Sequence, residues 1–108
     1  MELKTGVKID SLCAELSSRL EELDNIHRVY FSSEVRITSG HEGYSGDRVH
    51  GKNSLHYKGR AIDIGWQFHI VNVVLLSGFL INLMRIFDNR LFDVMFEIDH
   101  IHIEYDPH

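Results

Sequence analysis

Asp63 constrains this chain more than any other residue. It stands inside an alternating run, Ala61-Ile62-Asp63-Ile64, that reads as a strand from Arg60 to Trp66. A carboxylate among apolar neighbours is costly unless it is paired or bound to a metal. His56 precedes it in the same stretch, Ser54-Leu55-His56-Tyr57-Lys58-Gly59-Arg60-Ala61-Ile62-Asp63-Ile64. A second stretch, Asp99-His100-Ile101-His102-Ile103-Glu104, sets two histidines two positions apart, so that on a strand both project to one face. Two imidazoles and one carboxylate are a usual ligand set for a zinc ion that keeps one position open. One of His100 and His102 can bind the metal while the other reaches a substrate or an outer partner.

Such a metal lowers the pKa of its water and polarises a carbonyl. A nearby carboxylate would then carry the water's proton to a leaving amine. Asp99 and Glu97 are the candidates. Both have the wrong parity to share a face with His102 on a regular strand, so either needs a bulge or turn near Ile98 to Ile101. Asp99 lies closer and is preferred. Gly59 is expected to allow a tight turn between His56 and the strand. Ala61 leaves room for close packing beside the metal.

The remaining chain reads as scaffold. Ile9, Leu12, Cys13, Leu16, Leu20 and Leu23 recur at three- and four-residue steps, which predicts an amphipathic helix over 8–24, with Arg19 on its polar face. Glu34 to Thr38 alternates as a short strand. Residues 39–53 form a long, glycine-rich polar loop, and a loop of that length in a compact domain is usually functional or disordered. Ile70 to Phe87 is the most apolar segment. Asn72, Asn82 and Arg85 interrupt it, and no basic flank marks a cytoplasmic end, so a buried helix across a sheet is expected rather than a membrane span. Asp93 to Ile98 and Ile101 to Tyr105 read as the last strands, stopped by Pro107.

Composition excludes some classes. The 108 residues suit one domain, 1–108, with a modest core. A net charge of -5 gives a nucleic-acid role no electrostatic support. The single cysteine, Cys13, cannot form an internal disulfide, and its place on the apolar stripe makes it a small buried residue. Met1-Glu2-Leu3-Lys4 lacks the apolar core of a signal peptide. Apolar residues from Val71 to Phe87 exceed what one helix face needs, which suits a homodimer as well as a monomer.

At the metal-ligand stretches the chain resembles a known family. Ser54-x-His56-x-x-Gly59-x-Ala61-x-Asp63-Ile64, followed by Asp99-x-x-His102, is similar to the zinc D-Ala-D-Ala carboxypeptidases and L-Ala-D-Glu endopeptidases, peptidase family M15. The first segment is also close to the zinc-site segment of hedgehog signalling domains. Phe92-Asp93-Val94 with His100 to Pro107 resembles the small phage proteins of the M15 type. The likeness covers about residues 34 to 107. It implies an α+β fold in which a small antiparallel sheet carries the zinc and packs against two or three helices. It implies zinc ligands His56, Asp63 and His102, Asp99 as catalytic base, and His100 beside the substrate or oxyanion. It implies bacterial cell-wall peptide as substrate, bound with the help of Ser54 and Arg48. The expected location is the host cytoplasm or a phage particle.

One position departs from the family pattern. Members that cut peptidoglycan usually carry Ser-Gly-Tyr-Arg after the first strand, and the Arg grips a substrate carboxylate. Here the matching residues are Ser39-Gly40-His41-Glu42. Arg48 is the first candidate to replace that Arg, and Arg36 the second. The leading expectation is a zinc peptidase acting on peptidoglycan stem peptides. The alternative is a zinc-stabilised binding or structural module with little or no turnover, and a third reading is an unrelated metal-dependent amide hydrolase.

Overall fold

Alternation along the strands sorts side chains onto two faces of one sheet. The computed structural model describes residues 1–43, 54–65 and 72–107. The strands are β1 (Glu2–Leu3), β2 (Arg36–Ser39), β3 (Ala61–Gly65), β4 (Phe92–Phe96) and β5 (His100–Tyr105), in spatial order β1-β2-β3-β5-β4. β1 runs parallel to β2, whereas the other neighbours are antiparallel. The expected wholly antiparallel sheet is therefore corrected to a mixed one. A two-residue strand shows no periodicity. It is made by the Glu2 and Lys4 N–H groups donating to the Val35 and Ile37 carbonyls.

The register puts Ile37, Ile62, Ile64, Ile101, Ile103 and Val94 on one face. The other face carries Arg36, Thr38, Asp63, His100, His102, Glu104, Asp93 and Met95. Helices α1 (Ala14–Ser17), α2 (Leu20–Phe31) and α3 (Val73–Ile86) add Leu16, Leu20, Leu23, Phe79, Leu83 and Ile86 to the apolar face, and these close one core. Fully burying a side chain such as Phe79 or Phe92 contributes about 1.5–3 kcal/mol. The expected α+β architecture is present.

Two elements differ from the periodicity. The helix over 8–24 is replaced by α1, a break at Ser18–Arg19, and α2 reaching Phe31. Residues 8–13 do not form a helix because tertiary partners take their backbone groups. The Lys8 carbonyl accepts from the His41 N–H, and the Cys13 N–H donates to the Gly59 carbonyl. Arg19, expected on the polar face, donates to the Glu15 and Ile86 carbonyls and stacks over the Phe92 ring at 4.8 Å.

The second difference is in α3, which starts at Val73. The Asn72 side chain caps it by accepting from the Leu75 N–H, and residues 66–71 lie outside the described residues. Helices α2 and α3 approach closely at Gly78, where a Cβ would lie 2.6 Å from the Tyr30 ring. The Asn82 amide donates to the Tyr30 hydroxyl at 2.8 Å beside it. Among the described residues no helix is long and apolar enough to cross a membrane. Val73, Val74, Ile81 and Met84 are nevertheless exposed on α3.

Candidate metal centre

Local turn chemistry delivers His56. Ser54 starts a short 3-10 turn, Leu55–Lys58, and its hydroxyl accepts from the His56 N–H. Gly59 ends the turn in the left-handed region at φ 68°, which glycine enters without steric cost. The expected tight turn at Gly59 is present. It points His56 into the protein, where it is 4 % exposed. Its Nδ1–H donates to the Gly40 carbonyl at 2.9 Å, so Nε2 keeps its lone pair toward the centre.

Regular strand geometry delivers the other two residues. Asp63 on β3 and His102 on β5 are direct register partners on the polar face. Asp63 Oδ1 is 2.7 Å from His102 Nδ1, and Asp63 Oδ2 is 3.4 Å from His56 Nε2. The His56 and His102 rings lie 5.1 Å apart. One ligand atom from each of the three residues lies within 4.8 Å of the others. A tetrahedral ion with bonds of about 2.1 Å places its ligand atoms about 3.4 Å apart. The Asp63–His56 separation matches that span while Asp63 and His102 stand closer, at hydrogen-bond distance, and each histidine's far nitrogen is already held. His102 Nε2–H donates to Glu104 Oε1 at 2.9 Å, as Gly40 serves His56. This is the outer support that metal-binding imidazoles normally carry.

Electrostatics agree with the donor set. Burial by itself would raise the Asp63 pKa, but the His102 and His56 imidazoles beside it outweigh burial and hold the carboxyl well below the ordinary range. Burial would lower the His102 pKa, but the Asp63 and Glu104 carboxylates raise it.

The β4–β5 turn brings Asp99 and Glu97 to His100 rather than to the three ligands, and the Asp99 side chain is 79 % exposed. The β4–β5 hairpin closes with the Glu97 N–H donating to the His100 carbonyl. His100 Nδ1–H donates to Asp99 Oδ1 at 2.7 Å, while His100 Nε2 lies 3.9 Å from Asp63 Oδ2 and 3.6 Å from Glu97 Oε2. Asp99 is held below the ordinary carboxylate range chiefly by that His100 hydrogen bond. His100 thus stands between Asp99 and the ligands. Arg48 lies outside the described residues.

Other loop residues have structural tasks. His41 Nε2 lies 2.7 Å from Asp10 Oδ1, to which its N–H donates, and 3.0 Å from the Ser11 nitrogen. Glu42 accepts from the Ser39 hydroxyl and from the Gly40 and Lys8 N–H groups. Ser39 reaches Glu42's side of the sheet because a bulge shifts the register between Ile37 and Ser39. Burial would raise the Glu42 pKa, yet the Ser39, Gly40 and Lys8 bonds lower it overall. A depressed carboxyl stabilises the fold above its unfolded pKa, and that stability is lost as pH falls through the folded value. Thermal melts should therefore show Glu42→Gln less stable than wild type at neutral pH, with the gap narrowing below about pH 4.5. A gap independent of pH would contradict the assignment.

Glu104 was not among the sequence candidates. Parity would have found it, because it sits two positions after His102 on β5. Glu104→Gln should lower metal affinity about 10- to 100-fold without removing a ligand. Competition with a coloured chelator measures this, and an unchanged affinity would show that Glu104 does not support His102. The sequence matches no protein-family model and no curated protein.

Proposed function

We propose that the chain is a zinc-dependent peptidase acting on peptidoglycan stem peptides. The observation that carries the reading is the placement of the Asp99–His100 pair beside three metal-ligand side chains, two of them imidazoles whose outer nitrogens are already bonded. His56, Asp63 and His102 would hold the zinc, since two imidazoles and a carboxylate suit that ion. When bound there, zinc supplies an activated water and a polarised carbonyl.

The chain's own residues supply proton handling and orientation. Asp99 accepts the Nδ1 proton of His100 and fixes that ring, which leaves Nε2 as a proton acceptor toward the centre. Glu97 Oε2 is the second carboxylate within reach of the same Nε2. Gly40 and Glu104 hold the ligand rings in the orientation that binding needs. The cell-wall substrate is supported by the M15-like pattern at Ser54 to Ile64 and Asp99 to His102.

A specific observation favours the second reading, a zinc module with little turnover. Glu42 stands where the family pattern has a substrate-gripping Arg, and its carboxylate is spent on the Ser39–Lys8 loop contacts. One assay separates the two. Purified cell walls are incubated with zinc-loaded protein, and released peptides are read by mass spectrometry. Wild type is expected to release peptides, and Asp99→Asn with His100→Ala is not. Zinc-loaded wild type that releases nothing, while still binding the wall, would establish the second reading instead.

A further inference from the structure

Helix α3 is apolar on two opposite sides. Phe79, Leu83 and Ile86 face the core, and Gly78 and Asn82 lie against Tyr30 of α2. The outward side carries Val73, Val74, Ser77, Ile81 and Met84, and all five are exposed, Val74 at 82 % and Ile81 at 72 %. No charged residue occurs from Val73 to Met84. A helix apolar all round is expected to be covered on every side, and an exposed apolar strip marks an interaction surface. The Ser77 hydroxyl donates to the Val73 carbonyl at 2.8 Å. The strip's polar side chain is thus satisfied within its own helix and can be covered without losing a partner.

Val74, Ser77, Ile81 and Met84 stand at steps of three, four and three residues, the spacing by which two helices interlock. Laid antiparallel on a second copy, this strip is self-complementary. Val74 meets Met84 of the second copy, and Ser77 meets its Ile81, so a small side chain faces a large one in both central layers. Arg85 falls at the rim beside Val73 of the second copy, with its own Glu22 at 3.8 Å. Each α3 N-terminus also lies beside the other's C-terminus, the favourable alignment of two helix dipoles. A parallel pair would instead set Ser77 on Ser77, Ile81 on Ile81, and the like charges of Arg85 side by side.

We propose that the outward side of α3 is the interface of a reversible two-fold homodimer, packed antiparallel against the same strip of a second copy. A helix of 14 residues is about 21 Å long and about 10–12 Å wide, so the contact falls short of the roughly 1,200 Å² at which lasting complexes begin. That area sets a weak dimer, with a Kd on the order of tens of micromolar. With no charge and no free donor, the strip offers a foreign protein little to be selected by, whereas its own copy supplies the matching layers. A lipid surface suits it less. The other side of α3 is buried rather than carrying the Lys and Arg that hold an amphipathic helix on lipid, and a net charge of -5 opposes anionic headgroups. Helix α3 packs on the apolar face of the sheet, and the metal-ligand side chains stand on the other. The dimer therefore leaves both centres open, and the proposal does not depend on the peptidase reading.

The test is sedimentation velocity of the full chain from about 1 µM to about 1 mM. Wild type is expected to pass from monomer to dimer across that range. It should do so more readily at high salt, because each copy carries a net charge of -5 and screening weakens their repulsion. Ile81→Glu should weaken the dimer at least about tenfold, since it buries an unpaired carboxylate against Ser77 in both central layers. Ile81 is exposed, so at low concentration, where both proteins are monomers, the variant should melt as wild type does and hold as much zinc. Should Ile81→Glu fail to fold, Ile81→Gln decides. Disulfide formation reads the direction of the pair. Val74→Cys mixed with Met84→Cys should cross-link, and each alone should not, with wild type and its Cys13 as the reference. Wild type that stays monomeric throughout, a folded Ile81→Glu that dimerises as wild type does, or Val74→Cys that links to itself as readily as to Met84→Cys would overturn the dimer. Monomeric wild type that sediments with phosphatidylcholine vesicles, and loses this in Ile81→Glu, would overturn it in favour of a lipid surface.

Discussion

Protein carrying His56→Ala is expected to purify without metal, where wild type supplied with zinc holds about one ion per chain by elemental analysis. His56 is buried, its Nδ1 is committed to Gly40, and its Nε2 faces Asp63. Alanine leaves two of the three protein ligands, and nothing among the described residues replaces the imidazole. A zinc site worth roughly 10–16 kcal/mol over four positions loses about 3 kcal/mol with one ligand, or two orders of magnitude in affinity. The melting temperature supplies a second reading. A ligand present at about 1,000 times its Kd stabilises the native state by about 4 kcal/mol. Chelator should therefore lower the wild-type melt by many degrees and move His56→Ala far less, since a site about 100-fold weaker gains only about 1.4 kcal/mol from the same zinc. Wild type that takes up no zinc, or a variant that holds as much, would remove the metal centre and the peptidase with it.

Gly59→Leu is expected to destabilise the fold by about 2–4 kcal/mol and to weaken metal binding, although it alters no ligand. Gly59 combines two constraints. Its φ of 68° lies where side chains are strained, and a Cβ there would come 2.4 Å from the Ser11 carbonyl oxygen and 3.3 Å from the Leu12 Cα. Backbone atoms cannot swing aside as a flexible side chain would, so the 8–13 segment or the His56 turn must move. Moving the turn shifts the ring that Gly40 holds in place. Gly59→Ala should show most of the loss, because the clash begins at Cβ. The expected drop in melting temperature is on the order of 10–20 °C. A Gly59→Leu protein with wild-type melting and wild-type zinc content would refute the account of the turn.

The legible parts of the site are those that alternation and turn chemistry control locally. His100 and His102 share a face with Asp63 because strand parity is exactly two-fold, and parity was sufficient to place Glu104 there as well. A bulge or turn near Ile98 to Ile101 was required for Asp99 or Glu97 to share a face with His102, and the hairpin instead carries Asp99 onto His100. The helical stripe over 8–24 misled at its first half. Ile9, Leu12 and Cys13 pack against the core as its spacing suggests, but in an extended segment rather than a helix. Periodicity reports which side chains are buried and says nothing of which carbonyl a backbone N–H will find.

The sequence by itself determined the chemistry available: an acid placed among apolar strand residues, imidazoles at strand spacing, and a glycine where a turn must close. These follow from the steric and solvation preferences of single residues and their near neighbours. Only the tertiary structure decided what surrounds them. The Gly40 carbonyl behind His56, the 8–13 segment locked over Gly59, and Lys4 brought beside His100 by a parallel strand pair are contacts between residues far apart in the chain. Closing such contacts depends on how the whole core packs, and no local pattern along the chain encodes it.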